Sequence, residues 1–369
     1  MRTNKSAHII GSVVRTLLAL TFLFSGFVKA VDPLGTVYKI EDYLKAFGGF
    51  FTDLLPLAGI AAVCLIGIEW LLGVCMLANI RTNITAWLSL AFYLFMTPLT
   101  LWIALTNPVS DCGCFGDALV LTNWQTFWKN VVLLTLTITL LCCRKTIPQL
   151  WSWWMELCIV ILGLAAVVGI MGYSYTHLPP LDFRPYKVGN NIPTLMEIPE
   201  GAPHDVYETT LIYEKDGIEQ EFTLQNYPKG DPDWTFVDQK SVLVQKGYEA
   251  PIHDFEILTM EYEDITYDIL ESEEPVTLVT MYDLKKTDRT HLAKLIALSY
   301  QPNVYFLTGS GEDEIYAFGA ELGFDEQKIE QLFCTIDPVT LKTIVRANPG
   351  ICIIKNGTII AKHNLRQYH

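Results

Sequence analysis

The sequence predicts a membrane all-α helical bundle of five transmembrane helices followed by a soluble α/β domain, with a small β-rich subdomain between the two. Three observations carry this prediction. Of the 369 residues 51% are hydrophobic and the mean hydropathy is +0.29, and the apolar residues are concentrated in the first half. They form runs long enough to cross a bilayer, for which about 20 residues suffice. Residues 1–173 hold 10 basic and 8 acidic residues while residues 174–369 hold 16 and 32, so the net charge changes from +2 to −16. From residue 247 onward, strand-like apolar runs alternate with amphipathic helical stretches, the pattern of an α/β layer fold. The acidic half carries no basic patch, which excludes nucleic acid as a partner and anionic lipid as a ligand of that half.

The first span is read over residues 9–31, behind Arg2 and Lys5. The run is longer than a signal-peptide core, and Phe27, Val28, Lys29 and Ala30 make no clean small-residue cleavage site, so it reads as an uncleaved helix. Residues 34–51 place Lys39, Glu41, Asp42 and Lys45 among Val37, Ile40, Leu44 and Phe47. This is too charged to cross and amphipathic enough to lie on the membrane surface. Further spans are read at 54–78, 82–105, 127–141 and 150–173, the fourth short enough to draw on flanking residues. Basic residues fall before span one, after span two (Arg81) and after span four (Arg144, Lys145), which predicts a cytoplasmic N-terminus in the cell inner membrane. The loop of residues 106–126 and the whole soluble half then share the outer, periplasmic side, where disulfides persist. Trp151, Trp153 and Trp154 read as an interfacial aromatic belt.

The chemistry-bearing stretch lies in that loop: Asp111, Cys112, Gly113, Cys114, Phe115, Gly116 and Asp117. Cysteines at i and i+2 reach each other only through a tight turn, which Gly113 makes accessible, and strained disulfides are the readily reduced ones. A redox-active dithiol, a static turn-closing disulfide and half of a metal site all use these residue types, although no complete metal-ligand set is visible. The other seven of the nine cysteines read as small hydrophobes. Two ionisable residues inside the spans, Arg15 and Glu69, fall at similar depth by residue count; they read either as a paired functional site or as an Arg15 that snorkels inward with a Glu69 kept neutral or paired for packing. Lys29 and Asp32 close span one at the depth of the dithiol loop, where a lysine lowers a thiol pKa while Asp111 and Asp117 raise it. Pro98 is expected to kink span three and open a cavity beneath the loop.

Residues 174–181 are the linker. Within 182–246, residues 208–213 alternate, Asp216 and Gly217 supply a turn and residues 220–224 return, a hairpin pattern. Beyond 247 the order is strand 276–282, helix 289–299, strand 303–307, helix 313–322, strand 332–336, helix 339–346 and a hairpin of 351–354 with 358–361 about Lys355, Asn356 and Gly357. Cys334 and Cys352 fall on strands and read as core residues.

The membrane half, with Leu23 through Pro33, Glu69 and the Cys-Gly-Cys-Phe-Gly loop, resembles the DoxX-like membrane proteins, and among them the MauE family of methylamine utilisation. The resemblance covers about residues 9–145 and implies a four-span membrane partner in the maturation or redox handling of extracytoplasmic proteins, with Cys112 and Cys114 in the dithiol position. From Gly247 the chain resembles thioredoxin-like domains of the TlpA and peroxiredoxin sort, through Ala250, Pro251 and Phe255 at the entry and Pro349-Gly350 before the closing hairpin. That resemblance implies a cis-proline at Pro349 that docks substrate. The sequence departs where the family carries Cys-x-x-Cys: residues 281–287 hold no thiol, so this domain cannot exchange disulfides by itself. The organisation expected is 1–148 for the MauE/DoxX-like part, 149–181 for the fifth span and linker, 182–246 for the β-rich subdomain and 247–369 for the thioredoxin-like domain.

The expected function is thiol-disulfide or electron relay through Cys112 and Cys114. One thiolate attacks the disulfide of an extracytoplasmic client protein and the other resolves the mixed disulfide. The ultimate electron source is left open between a quinone held among the spans and another thiol protein; no sequence feature selects either. The alternative is a non-enzymatic membrane scaffold whose Cys-Gly-Cys is a brace and whose acidic domain binds a partner. A solute carrier built on Arg15 and Glu69 is disfavoured by five spans without a visible repeat.

Overall fold

A computed structural model describes residues 5–109, 111–204, 206–215, 217–245 and 247–368, with the backbone alone at 242, 243 and 245. Arg2 and Asp216, used above for orientation and for the hairpin turn, lie outside the described residues.

The apolar runs form α1 (Lys5–Val31), α3 (Ala58–Leu77), α4 (Thr82–Thr106), α5 (Asn123–Cys143) and α6 (Trp153–Thr176), with α2 (Pro33–Phe47) between the first two. Among the described residues five helices are long and apolar enough to cross a membrane, α3 being counted with the 3-10 stretch Gly49–Leu57 that leads into it and α5 with the 3-10 turn Arg144–Thr146 that follows it. Their inward faces supply Leu18, Phe22, Met76, Ala86, Tyr93 and Leu140 to one buried cluster, while Leu20, Ile60, Phe95 and Leu162 stay exposed on the outer faces. Apolar residues on both sides are what a bilayer-embedded bundle requires. The short fourth span does draw on its flank: Thr122 caps α5 by accepting from Gln125 N, and Gln125 Oε1 accepts from Thr122 N.

Glycines set how α1 and α3 cross. A Cβ on Gly26 would sit 2.8 Å from the backbone nitrogen of Trp70, and one on Gly73 would sit 2.7 Å from that of Leu23. Only glycine permits such an approach, the small-residue packing typical of membrane helices. The amphipathic stretch after α1 is not laid loosely on a surface. Asp32 caps α2 by accepting from Gly35 N at 3.0 Å, the helix packs along α3, and its last residue, Phe47, stacks on Trp102 of α4 with ring centroids 4.7 Å apart. α4 runs as one helix through Pro98.

The sheet-containing C-terminal region begins with α7 (Ile192–Met196). β1 (Val206–Lys215), β2 (Ile218–Thr223) and β3 (Thr235–Gln245) then form an antiparallel sheet in the order β2-β1-β3. Lys215 pairs with Ile218 across the tight turn, and Gly217 takes φ +78° there. The second sheet has six strands: β4 (Leu258–Thr259), β5 (Val276–Met281), β6 (Val304–Thr308), β7 (Phe333–Thr335), β8 (Gly350–Lys355) and β9 (Thr358–Asn364), in the order β4-β7-β6-β5-β8-β9. β5, β6 and β7 are parallel; β8 runs antiparallel beside β5, and β9 antiparallel to β8 at the edge.

β5 is buried at all six positions, as a strand covered on both faces must be. Val276 and Leu278 meet one apolar layer with α8 (Thr266–Leu270) and α12 (Pro338–Ile344); Val279 and Met281 meet the other with α9 (Leu292–Leu298), α10 (Glu312–Glu321) and α11 (Glu326–Leu332). Cys334 and Cys352 are buried in the first layer, and burial pushes both thiols up to about 12. They are inert core residues there.

The structure divides residues 182–246 differently from the sequence reading. Tyr186 and Ile192 are buried in the first layer with Ile252 and Phe255, and Asn191 bridges to Thr358 on β9. Residues 182–196 therefore pack with the six-stranded sheet, and the small sheet projects between them and β4. A buried ion cluster fixes the entry: Asp182 accepts from Arg184 Nε at 2.7 Å and from Lys362 Nζ at 2.6 Å. Burial lowers Lys362 to about 8. Asp182 stays below its ordinary range, because the two cations outweigh its own desolvation.

Candidate functional site

The loop after α4 is folded by its own residues. Asp111 Oδ1 accepts from Gly113 N at 2.7 Å, and Gly113 (φ +65°) and Gly116 (φ +51°) both take left-handed backbone. Gly113 is required twice, since a Cβ there would also meet Lys39 Cγ at 2.8 Å. The turn brings Cys112 Sγ and Cys114 Sγ to 2.9 Å. Cys112 is buried and Cys114 half-buried.

The membrane helices hold this loop from below. Lys29 Nζ donates to Cys114 O at 2.5 Å and to Glu69 Oε2 at 2.9 Å, and both side chains are about 5% exposed. Ser25, one turn before Lys29, places Oγ 2.8 Å from Glu69 Oε2 and 2.7 Å from Cys114 O, so its single proton serves one of them. Tyr43 donates to Cys112 O at 2.7 Å and Lys39 pairs with Asp111 at 2.9 Å. Phe115 lies edge-on to Phe24 and under Lys129, whose Nζ is 4.3 Å from the ring centroid.

These neighbours split the two thiols. The hydrogen bond from Cys112 lowers Cys114 to about 6 against the cost of burial, with Lys129 and Lys29 pulling the same way. Cys112 is raised well above its ordinary value, because it donates to Cys114 and is buried. The pair therefore shares its charge as a Cys114 thiolate beside a Cys112 thiol, the state in which a dithiol attacks. In full-length reduced protein, alkylation of Cys114 should rise with pH about a midpoint near 6 and be lost below it. An unperturbed thiol, with its pKa of about 8.5, would still be mostly unreactive at neutral pH. Rate constants for iodoacetamide followed by mass spectrometry check this.

The soluble region closes over the loop. Arg346, 8% exposed, lies beyond the end of α12; its Nε contacts Asp32 at 2.9 Å and Nη2 contacts Asp117 at 3.3 Å. Lys342 lies over the ring of Tyr38 at 4.8 Å, and Tyr38 meets Tyr282 edge-on at 6.1 Å. Beneath this roof is a cavity of about 650 Å³, with Cys112, Cys114, Lys29, Glu69, Tyr38 and Tyr43 among its lining residues.

Most of the residues singled out from the sequence meet here: Lys29, Asp32, Glu69, Asp111, Cys112, Gly113, Cys114, Gly116 and Asp117 line the cavity, and Phe115 packs beside it. A pairing of Arg15 with Glu69 is not formed. Because Gly26 faces Trp70 and Gly73 faces Leu23, α1 and α3 are staggered, which sets Glu69 beside Lys29; Arg15 Nη1 instead donates to Met76 O at 2.7 Å. Nor are the two loop acids bare beside the thiols, since Lys39 and Arg346 pair with them. The Asn348–Pro349 peptide is cis, but Pro349 is buried and is not part of the cavity wall. Sequence reasoning missed Ser25, Tyr43, Lys129 and Arg346. Ser25 and Lys29, and Lys39 and Tyr43, carry an i,i+4 signal; Arg346 carries none.

Residues 7–143 match the family model described as methylamine utilisation protein MauE, and residues 207–246 match one described as a domain of unknown function (DUF8463). No curated protein and no solved structure matches the chain. The MauE match spans α1 to α5 and takes in the dithiol loop, Lys29 and Glu69; the second covers most of the three-stranded sheet. The chain is thus a multi-pass membrane protein by its five apolar helices, similar to MauE over residues 7–143, and it carries a sheet-containing C-terminal region.

Proposed function

We propose that this chain is an accessory protein of the methylamine-utilisation type, set in the inner membrane, that passes electrons by thiol-disulfide exchange on the extracytoplasmic side. The single observation that carries the reading is the dithiol itself. A low-pKa Cys114 lies 2.9 Å from the thiol that would resolve its mixed disulfide, and both face a cavity. Cys114 attacks a disulfide of the client; Cys112 then loses its proton, attacks Cys114 Sγ and releases the client as a thiol. The reverse sequence oxidises a client. Arg81, Arg144 and Lys145 at the opposite end of the bundle favour a cytoplasmic location for that end.

The C-terminal region reads as thioredoxin-like. Supporting this are the parallel β5-α9-β6 unit, the antiparallel β8 and β9 in the order β6-β5-β8-β9, and a proline directly before β8. Where that fold carries its thiols, Asp283 caps a 3-10 turn over Leu284–Lys286. A domain of this kind positions a client or closes the membrane dithiol and performs no exchange of its own. That missing thiol is also what favours a second reading, a non-enzymatic scaffold in which Cys112 and Cys114 form a brace.

Acid quenching of cells followed by thiol alkylation separates the two. Cys112→Ser should leave Cys114 to accumulate a mixed disulfide with a partner protein, and Cys114→Ser should accumulate far less. Absence of adducts from both variants, with the wild-type pair in one redox state under oxidant and reductant alike, rejects the exchange reading.

A further inference from the structure

Resting on the exchange reading, we infer that the cavity beneath the soluble domain is the site of a lipid-soluble quinone that takes the two electrons of the Cys112 and Cys114 thiols. The cavity has two unlike ends. At the inner end lie the two cysteines with Lys29, Glu69, Tyr43 and Lys39; at the other lie Phe47, Phe51, Ala61, Leu65, Phe95 and Leu99. Phe95 is 69% exposed, and Phe47, Phe51 and Ala61 are exposed as well, although all four line the cavity. They form a mouth among α2, α3 and α4, between helices that also expose Ile60, Ile68 and Leu94. Toward the soluble region the rim is formed by Leu181 and Phe183, 48% and 41% exposed, and by the contact of Arg346 with Asp32 and Asp117; this second opening is the route left to glutathione disulfide or a client, so the mouth among α2, α3 and α4 is the one that faces lipid. A ligand arriving by that mouth comes from the bilayer.

Size and chemistry narrow the ligand further. About 650 Å³ is within the range of about 300–1,000 Å³ that holds a drug-sized molecule, enough for a substituted ring and the start of a tail that leaves through the mouth. A lipid acyl chain would fill the apolar end but has no use for hydrogen-bond donors at the other. A quinone carbonyl has, and Lys29, Lys39 and Tyr43 supply them. The redox count also matches, since a dithiol gives two electrons and a quinone takes two. The Cys114 thiolate adds through Sγ to a ring carbon, and the displaced electron pair moves to a carbonyl oxygen, which takes a proton. Cys112 gives up its proton and attacks Cys114 Sγ; the S–S bond forms, the C–S bond breaks, and its pair passes into the ring. Two thiols become one disulfide, one quinone becomes one quinol, and the two protons the thiols lose end on its oxygens.

The test uses full-length protein, reduced and freed of reductant, in phosphatidylcholine nanodiscs. Decyl-benzoquinone or oxidised glutathione is added, and the state of Cys112 and Cys114 is read by quenching, alkylation and mass spectrometry. Wild type should form the 112–114 disulfide with one quinol produced per pair. Ala61→Trp and Leu65→Trp, which obstruct the mouth, should slow oxidation by quinone at least tenfold and leave oxidation by glutathione disulfide unchanged. If glutathione disulfide oxidises the pair but the quinone does not, or if both tryptophan variants react with quinone as fast as wild type, the quinone site is overturned and the exchange reading stands. If neither oxidant converts the pair, the exchange reading itself fails. A slowdown with both oxidants marks the variants as damaged; Phe95→Ala, which widens the mouth, then decides, because its quinone rate should be at least that of wild type and a loss confined to quinone would overturn the site.

Discussion

Lys29→Met is expected to be among the most damaging single substitutions in the membrane region, at a cost of about 3–5 kcal/mol, because it leaves Glu69 charged, buried and without its cation. Glu69 accepts from Lys29 through both carboxylate oxygens, at 3.1 and 2.9 Å, and is 4% exposed. The same lysine donates to Cys114 O and lowers the Cys114 pKa, so its loss should also shift Cys114 alkylation to higher pH. Lys29→Met with Glu69→Leu removes both charges and should recover most of the stability, since an apolar pair of similar volume often replaces a buried ion pair without loss. It should recover the alkylation profile only in part, because Glu69 opposes Lys29 at Cys114 and its loss offsets a share of the shift. Unfolding in mixed micelles measures the first effect and the alkylation profile the second; a single variant as stable as wild type would show that the pair does not bear on the fold.

Arg346→Ala should release the soluble domain from the membrane domain. The side chain is buried between Asp32 and Asp117 and also donates to Lys342 O at 2.6 Å. Truncating one member of a buried, hydrogen-bonded charge pair at an interface costs about 2–5 kcal/mol, roughly 30- to 4,000-fold in a docking equilibrium. Asp117 is already held above its ordinary pKa, chiefly by burial, and Arg346 opposes that rise. Without the arginine it should take up a proton more readily. Cys114 labelling by a bulky, membrane-impermeant maleimide should increase correspondingly, whereas Arg346→Lys should lie between, because a point charge cannot span two carboxylates as a fork does. Labelling unchanged in Arg346→Ala would mean that the roof is held by something else.

What could be read from the sequence divides along a physical line. The spans were legible because each is a continuous apolar run, and the dithiol loop because two thiols flanking one glycine allow few backbone conformations. The alternation of strands and helices beyond residue 247 was legible through periodicity alone. Partner choice inside the bundle was not. Matching Arg15 to Glu69 by depth assumes that α1 and α3 start level, but the first turns of α3 stand beside α2, and the stagger is set by Gly26 and Gly73, whose significance is only their lack of a Cβ. The roof was also hidden. Arg346 is 314 residues from Asp32 along the chain, and nothing local to either residue announces the other. The same holds for residues 182–196, which read as part of the β-rich segment but are drawn into the six-stranded sheet by Tyr186 and Ile192.

The central claim is that Cys112 and Cys114 cycle between dithiol and disulfide in the folded protein. Equilibrating full-length protein in nanodiscs across a series of glutathione buffers, then quenching and counting alkylated thiols on the 112–114 peptide, tests it most directly. The expected result is a single reversible transition with a two-electron slope, shifted in Lys29→Met as the cation beside Cys114 is lost. A pair that remains wholly oxidised or wholly reduced across the series, in wild type and variant alike, would contradict the claim and leave the loop as a brace.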